Sequence, residues 1–182
     1  VSRWLVAIDL QHVFADPDSY WATPRFAEVL PVTLALAERF EGRVLATRFV
    51  APAEPTGAWV DYYRDWPDAL TPADHPQYDL VPEVAALGPR VLTAPTFGKW
   101  GAELAALVGP DPELVVTGVS TDCCVLSTAL AAADAGARVT VVADGCAGAT
   151  DEDHARALTA MALYGPLITV VDHAALDADG RI

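Results

Sequence analysis

The feature that most constrains this chain is a repeated alternation. Short, continuous runs rich in Val, Ile and Leu are each followed by a longer segment with helix-like apolar spacing. A run that is apolar at successive positions, rather than at every second one, belongs to a strand buried on both faces. Such strands occur in parallel sheets covered by helices. Six runs qualify: residues 4–9, 43–50, 90–94, 113–118, 138–144 and 167–172. Helix patterns occupy residues 24–40, 98–108, 120–136 and 150–165. Pro31 inside the first of these predicts two pieces or a kink. The third has a Ser/Thr/Asp start, an Ala/Leu body and Gly136 as its stop. Residues 51–79, rich in Pro and aromatics, form an excursion with one short helix around 57–65. The expected fold is α/β: a three-layer α/β/α sandwich around a six-stranded parallel sheet, in one domain spanning residues 1–182.

Charge narrows the partners. With 25 acidic and 11 basic residues the net charge is -14, and no basic cluster offsets it. Such a surface repels a polyanion, so no nucleic acid is expected. No apolar run reaches the length of about 18 residues that a membrane span needs, so no membrane partner is expected either. The N-terminal VSRWLVAIDLQHVF is broken by Asp9 and lacks a small-residue cleavage site, so it does not read as a signal peptide. Cys123, Cys124 and Cys146 are odd in number with two adjacent, the pattern of free thiols in a cytoplasmic protein. Hydrophobic residues make up 53% of the chain, and Trp59, Tyr62, Tyr63 and Trp66 cluster in the excursion. Exposed aromatics of that kind would need covering, so a homo-oligomer, dimer or tetramer, is expected. The same four residues also fit a loop packed on the sheet, or the wall or lid of a substrate pocket.

In open α/β sheets ligands bind beyond the carboxyl ends of the strands. That rule directs attention to Asp9 and to the segments 93–99, 118–124 and 144–150. Cys124 opens the helix after the fourth run, where free amides and the helix dipole favour a thiolate. A small buried hydrophobe fits the same position. Cys123 points elsewhere on the helix and reads as packing. Asp9 is either a hydrogen-bonding group at a strand end or a partly desolvated acid suited to proton transfer. Lys99 is the single Lys beside ten Arg, and it sits between Phe97 and Trp100. It is a solvated surface residue or a compact cation in a site. The four His (His12, His75, His154, His173) have no chelating spacing. The Asp177–Gly180 stretch lacks the later ligands of a calcium loop. No metal and no cofactor are expected. Ser120 lies in no G-x-S-x-G elbow, which disfavours a serine hydrolase.

Taken together, these positions form a pattern. Asp9 and Gln11 make a D-x-Q run, and Lys99 follows the third strand. Gly118, Thr121, Cys124, Val125 and Thr128 spell G-x-x-T-x-x-C-V-x-x-T, and Asp144, Cys146 and Ala147 follow the fifth strand. Over nearly its whole length the chain resembles the isochorismatase-like cysteine hydrolase superfamily. The resemblance implies a Rossmann-like six-stranded sheet and a triad with Cys124 as nucleophile, Asp9 as acid and base, and Lys99 as electrostatic support. It also implies a cis peptide at Val119–Ser120 and an oxyanion hole made by the backbone N–H groups of Ser120 and Cys124. Gln11, Phe14, Trp59, Tyr63 and Trp100 are the candidates for the substrate pocket.

Departures from the pattern refine the expectation. Nicotinamidase-type members carry metal ligands after the second strand, where this chain has Phe49 and Ala51. Isochorismatases proper act on vinyl ethers without a nucleophilic Cys. The second Asp of the D-x-Q-x-D-F run is Val13 here. The chain is therefore most similar to metal-free amidases and N-carbamoyl hydrolases. The expected function is cysteine-dependent cleavage of a C–N bond in a small amide or ureido compound, through a thioester. The alternatives are a catalytically idle binding or scaffold protein of the same fold, or a hydrolase of another small electrophile such as a thioester or lactam.

Overall fold

The computed structural model describes residues 2–177. Asp179 and Gly180, part of the stretch dismissed as a calcium loop, lie outside them. In chain order the elements are β1 (Ser2–Ile8), α1 (His12–Ala15), α2 (Phe26–Ala37), β2 (Val44–Phe49), α3 (Trp59–Asp65), α4 (Pro82–Ala85) and β3 (Arg90–Ala94). Then come α5 (Ala102–Val108), β4 (Pro112–Val119), α6 (Leu126–Asp134), β5 (Arg138–Ala147), α7 (Asp151–Ala162) and β6 (Ile168–Val171). The six strands form one parallel sheet in the order β3-β2-β1-β4-β5-β6. Among the described residues no helix is long and apolar enough to cross a membrane.

Strand alternation sets the layers. Trp4, Val6 and Ile8 of β1 point to one face, where they pack with Leu104 of α5, Ala129 of α6 and Met161 of α7. Leu5, between them, points to the other face and packs with Leu36 of α2. Ala7 joins a third cluster beyond it, with Phe14, Phe49 and Tyr78. A helix layer on each side of the sheet makes the three-layer α/β sandwich that the apolar runs predicted.

Two elements depart from the pattern read in the sequence. Pro31 lies inside α2, yet the helix runs unbroken from Phe26 to Ala37. Val29, Thr33, Leu36 and Ala37 bury one face of it, and packing of that face outweighs one missing backbone bond. The helix expected from residue 98 begins only at Ala102, because the segment before it is the loop that carries Lys99.

The sheet order reverses between β1 and β4, and this is the switch point where a crevice opens at the strand ends. The two strands meet there at Ile8 and Gly118. Gly118 has φ +117°, and a Cβ on it would lie 2.1 Å from the Ile8 carbonyl oxygen. Only glycine fits. This close contact brings the residue after β1 next to the turn after β4.

Candidate active site

Asp9 is the first residue beyond β1 and takes φ +50°, a left-handed conformation that Asp tolerates better than most side chains. Its carboxylate is fully buried. Thr47 of β2 donates to Oδ1 at 2.6 Å, and the Asp9 amide donates back to Thr47 Oγ1 at 3.1 Å. From the same side of the switch point Lys99 reaches in on the loop after β3, placing Nζ 3.0 Å from Asp9 Oδ2 with neither side chain exposed. That ammonium also donates to the carbonyls of Thr96 at 2.5 Å and Phe97 at 3.1 Å, and lies 5.2 Å from the centre of the Phe49 ring. Backbone acceptors thus take two of its three N–H groups, and Asp9 balances its charge.

Cys124 lies in a wide π-type turn, Thr121–Val125, between β4 and α6. The Ser120 carbonyl accepts from both the Cys123 amide (3.2 Å) and the Val125 amide (3.1 Å), which widens the turn around Cys124. The peptide bond Val119–Ser120 before it is cis. Thr128 joins this turn to the lysine loop: its hydroxyl donates to the Cys124 carbonyl at 2.7 Å and accepts from the Lys99 amide at 2.9 Å. Thr128→Val should strand the buried Lys99 N–H and destabilise the protein by about 1–3 kcal/mol. Urea denaturation checks this, and an unchanged midpoint would show the link to be dispensable.

Burial pushes the Cys124 thiol well above its ordinary value. The neighbouring Asp9 charge and hydrogen bond act in the same sense, against the pull of Lys99. The helix start was expected to favour a thiolate there, but desolvation and the nearby carboxylate dominate. Burial and the Asp9 charge thus favour the thiol over the thiolate as the resting form of Cys124. Its alkylation by iodoacetamide should therefore still be accelerating at about pH 9, where a free cysteine of pKa about 8.5 is levelling off. Mass mapping of the Cys124 peptide across pH measures this, and a plateau below pH 8 would refute it.

A cleft of about 470 Å³ opens onto Ser120 and Cys124. Its walls include Phe14 and Trp21, which stack at 5.9 Å, together with Phe49, Tyr62, Trp66 and Phe97. Of the five residues expected in the pocket, Phe14 lies in this lining and four do not. Gln11 is a buried strut: Nε2 donates to the carbonyls of Phe49 (2.9 Å) and Tyr78 (2.8 Å), and Oε1 accepts from the Phe49 amide (2.8 Å). Trp59 packs edge-on behind the wall, 5.1 Å from the Phe97 ring. Tyr63 is buried in the cluster beneath it, and Trp100 packs into the core on the opposite face of the sheet. The aromatics of the excursion are half-buried or buried rather than an exposed patch, so they give no ground for an oligomer.

Sequence reasoning missed Thr47 and the pair Tyr20–Trp21. Tyr62 and Trp66 carried a signal, being four residues apart in the excursion. Among the described residues, the positions where nicotinamidase-type members carry metal ligands do not form a metal centre. Phe49 and Ala51 are apolar and buried, and His75, His154 and His173 are engaged with Gln77, Thr121 and Asp144. Among the described residues no group of three His, Cys, Asp or Glu is placed to hold a metal ion.

Solved structures share this fold. A cysteine hydrolase from Pseudomonas syringae pv. phaseolicola 1448A superposes with a TM-score of 0.79 at 18% identity, covering 95% of this chain and 89% of that one. An isochorismatase family protein from Desulfovibrio vulgaris subsp. vulgaris str. Hildenborough gives 0.78 at 24% identity, covering 94% of each chain. The pyrazinamidase of Pyrococcus horikoshii, solved in complex with zinc, gives a TM-score of 0.73 at 22% identity, covering 94% of this chain and 99% of that one. At such identities the likeness establishes the fold. Comparison with curated proteins gives no match. The family model for the isochorismatase domain matches residues 3–174. That match spans nearly the whole sequence, and the chain belongs to the isochorismatase family of hydrolases.

Proposed function

We propose that the protein hydrolyses the C–N bond of a small amide or ureido compound through a thioester on Cys124. One observation carries this reading. Asp9, Lys99 and Cys124, drawn from three separate strand ends, meet in one buried cluster at the head of a cleft.

The geometry supports the following roles. Cys124 Sγ attacks the carbonyl carbon while the thiol proton passes to Asp9 Oδ2, so no standing thiolate is required. Thr47 holds Oδ1, which keeps Oδ2 turned toward the reacting groups. The oxyanion rests on the backbone N–H groups of Ser120 and Cys124. When the intermediate collapses, the C–N bond breaks and Asp9 returns its proton to the leaving nitrogen. Water then attacks the thioester, its proton goes to Asp9, the C–S bond breaks, and the sulfur is reprotonated as the acid leaves. Lys99 balances the charge of Asp9 throughout; it takes no proton.

The thioester is the testable element. Mixing enzyme with a turned-over amide should release ammonia or amine in a burst matching the enzyme concentration, ahead of the acid. Hydroxylamine should divert the acyl group to a hydroxamate. Single-phase release with no hydroxamate at any pH would rule out the covalent route.

A further inference from the structure

Resting on the hydrolase reading above, we propose that the site takes a carboxylate-free amide with a large apolar or aromatic acyl group, and turns away ureido acids and other carboxylate-bearing substrates. Of the described residues lining the cleft seven are aromatic, and none is Arg, Lys or His. The one carboxylate in the lining is Asp122, held by the Ala149 amide at 2.9 Å. A substrate carboxylate entering the cleft would meet this negative group, with the Asp9 carboxylate beyond it.

Among the described residues, no cation lines the cleft to compensate. Lys99 is enclosed by Asp9 and by the carbonyls of Thr96 and Phe97. Arg25 lies outside the lining and is engaged by Asp151 at 2.6 Å and 2.8 Å and by Glu28. Burial keeps the phenols of Tyr20 and Tyr62 neutral, so they offer hydrogen bonds and ring faces but no charge. An anion desolvated against aromatic walls without a partner is strongly disfavoured, whereas an apolar body loses nothing there.

Size points the same way. A cavity of about 150 Å³ lined by apolar side chains is enough to hold benzene. The cleft here, at about 470 Å³, is some three times larger. It has room for a ring with an alkyl arm, or for a bicyclic body, beyond the amide that reaches Cys124. A very small amide would leave most of the aromatic surface uncovered.

Four probes test the proposal: 3-phenylpropionamide, 3-(4-carboxyphenyl)propionamide, N-carbamoylphenylalanine and acetamide. Ammonia release reports turnover by the wild-type protein. Tryptophan fluorescence, which Trp21 and Trp66 make sensitive to occupation of the cleft, reports binding in both wild type and Cys124→Ala. The neutral aryl amide should bind, and its kcat/KM should exceed that of the other three by about 10²-fold or more. A carboxylate-bearing probe bound or turned over as well as 3-phenylpropionamide would overturn the inference, and so would parity with acetamide. Binding of none of the four would overturn it too. Binding of the aryl amide alone, with no turnover of any probe, would support this inference while removing the hydrolase reading on which it was built.

Discussion

Cys124→Ala is expected to abolish amide hydrolysis, with kcat falling by roughly 10⁴–10⁶-fold, the scale seen when a covalent nucleophile is removed. No neighbour can substitute for it. The adjacent Cys123 thiol also lines the cleft but donates to Asp122 Oδ2 at 3.6 Å, and the third thiol, Cys146, is buried in β5 with its sulfur toward the Val116 carbonyl. The substitution deletes one sulfur beside an open cleft, so circular dichroism and the thermal midpoint should change little. Ammonia release from any amide the wild-type protein turns over measures the effect. Residual activity within tenfold of wild type would show that Cys124 does not form the acyl intermediate.

Lys99→Met carries the largest expected cost in stability. From sequence, a residue at a strand end contributes little to the core, and Lys99→Ala would be expected to fold normally. The structure reverses that expectation, because the Lys99 and Asp9 side chains are both fully enclosed and 3.0 Å apart. Removing one partner of a buried pair leaves an uncompensated charge, at a cost of about 3–5 kcal/mol. Turnover should fall as well, by roughly 10²–10³-fold, the scale for losing one electrostatic contact at a reacting centre. Lys99→Arg should fail in both respects, since the planar fork is larger and cannot reproduce the donors aimed at Thr96 and Phe97. Chemical denaturation of Lys99→Met, Asp9→Asn and the double variant resolves the cause. The double variant should recover much of the stability and none of the activity. Equal and additive losses would mean that the two side chains act independently.

These residues also show what the sequence made legible. Each strand ends within a few residues of its apolar run, and β3 matches residues 90–94 at both ends. Asp9, Lys99 and Cys124 were visible because the strand-end rule and a spaced motif pointed to the same places. Thr47 was not visible: in an inner strand a Thr is as good a sheet former as Val, and nothing local says that its hydroxyl faces a carboxylate. The pocket was read poorly for a related reason. Trp21 and Trp66 arrive from segments far apart in the chain, and whether an aromatic faces a cleft or backs its wall depends on how those segments cross. Trp66 and Trp100 look alike in sequence, yet the sheet lies between their surroundings. The protonation of the thiol was not legible, because a helix start acts locally, whereas burial and the Asp9 charge come from the tertiary fold.

Gly118 has a consequence for any reading of this protein through its variants. It is not one of the residues lining the cleft, but its missing side chain is what allows β4 to lie against the Ile8 backbone. In a saturation scan scored by activity alone, Gly118 would look as intolerant as Cys124 itself and would invite a catalytic assignment. A scan that also scored abundance would separate them. Gly118 variants would disappear from the soluble fraction, whereas Cys124 variants would accumulate as folded, inert protein. The tolerance map of such a site has two kinds of invariant position, one enforced by the reaction and one by the lack of room between two strands.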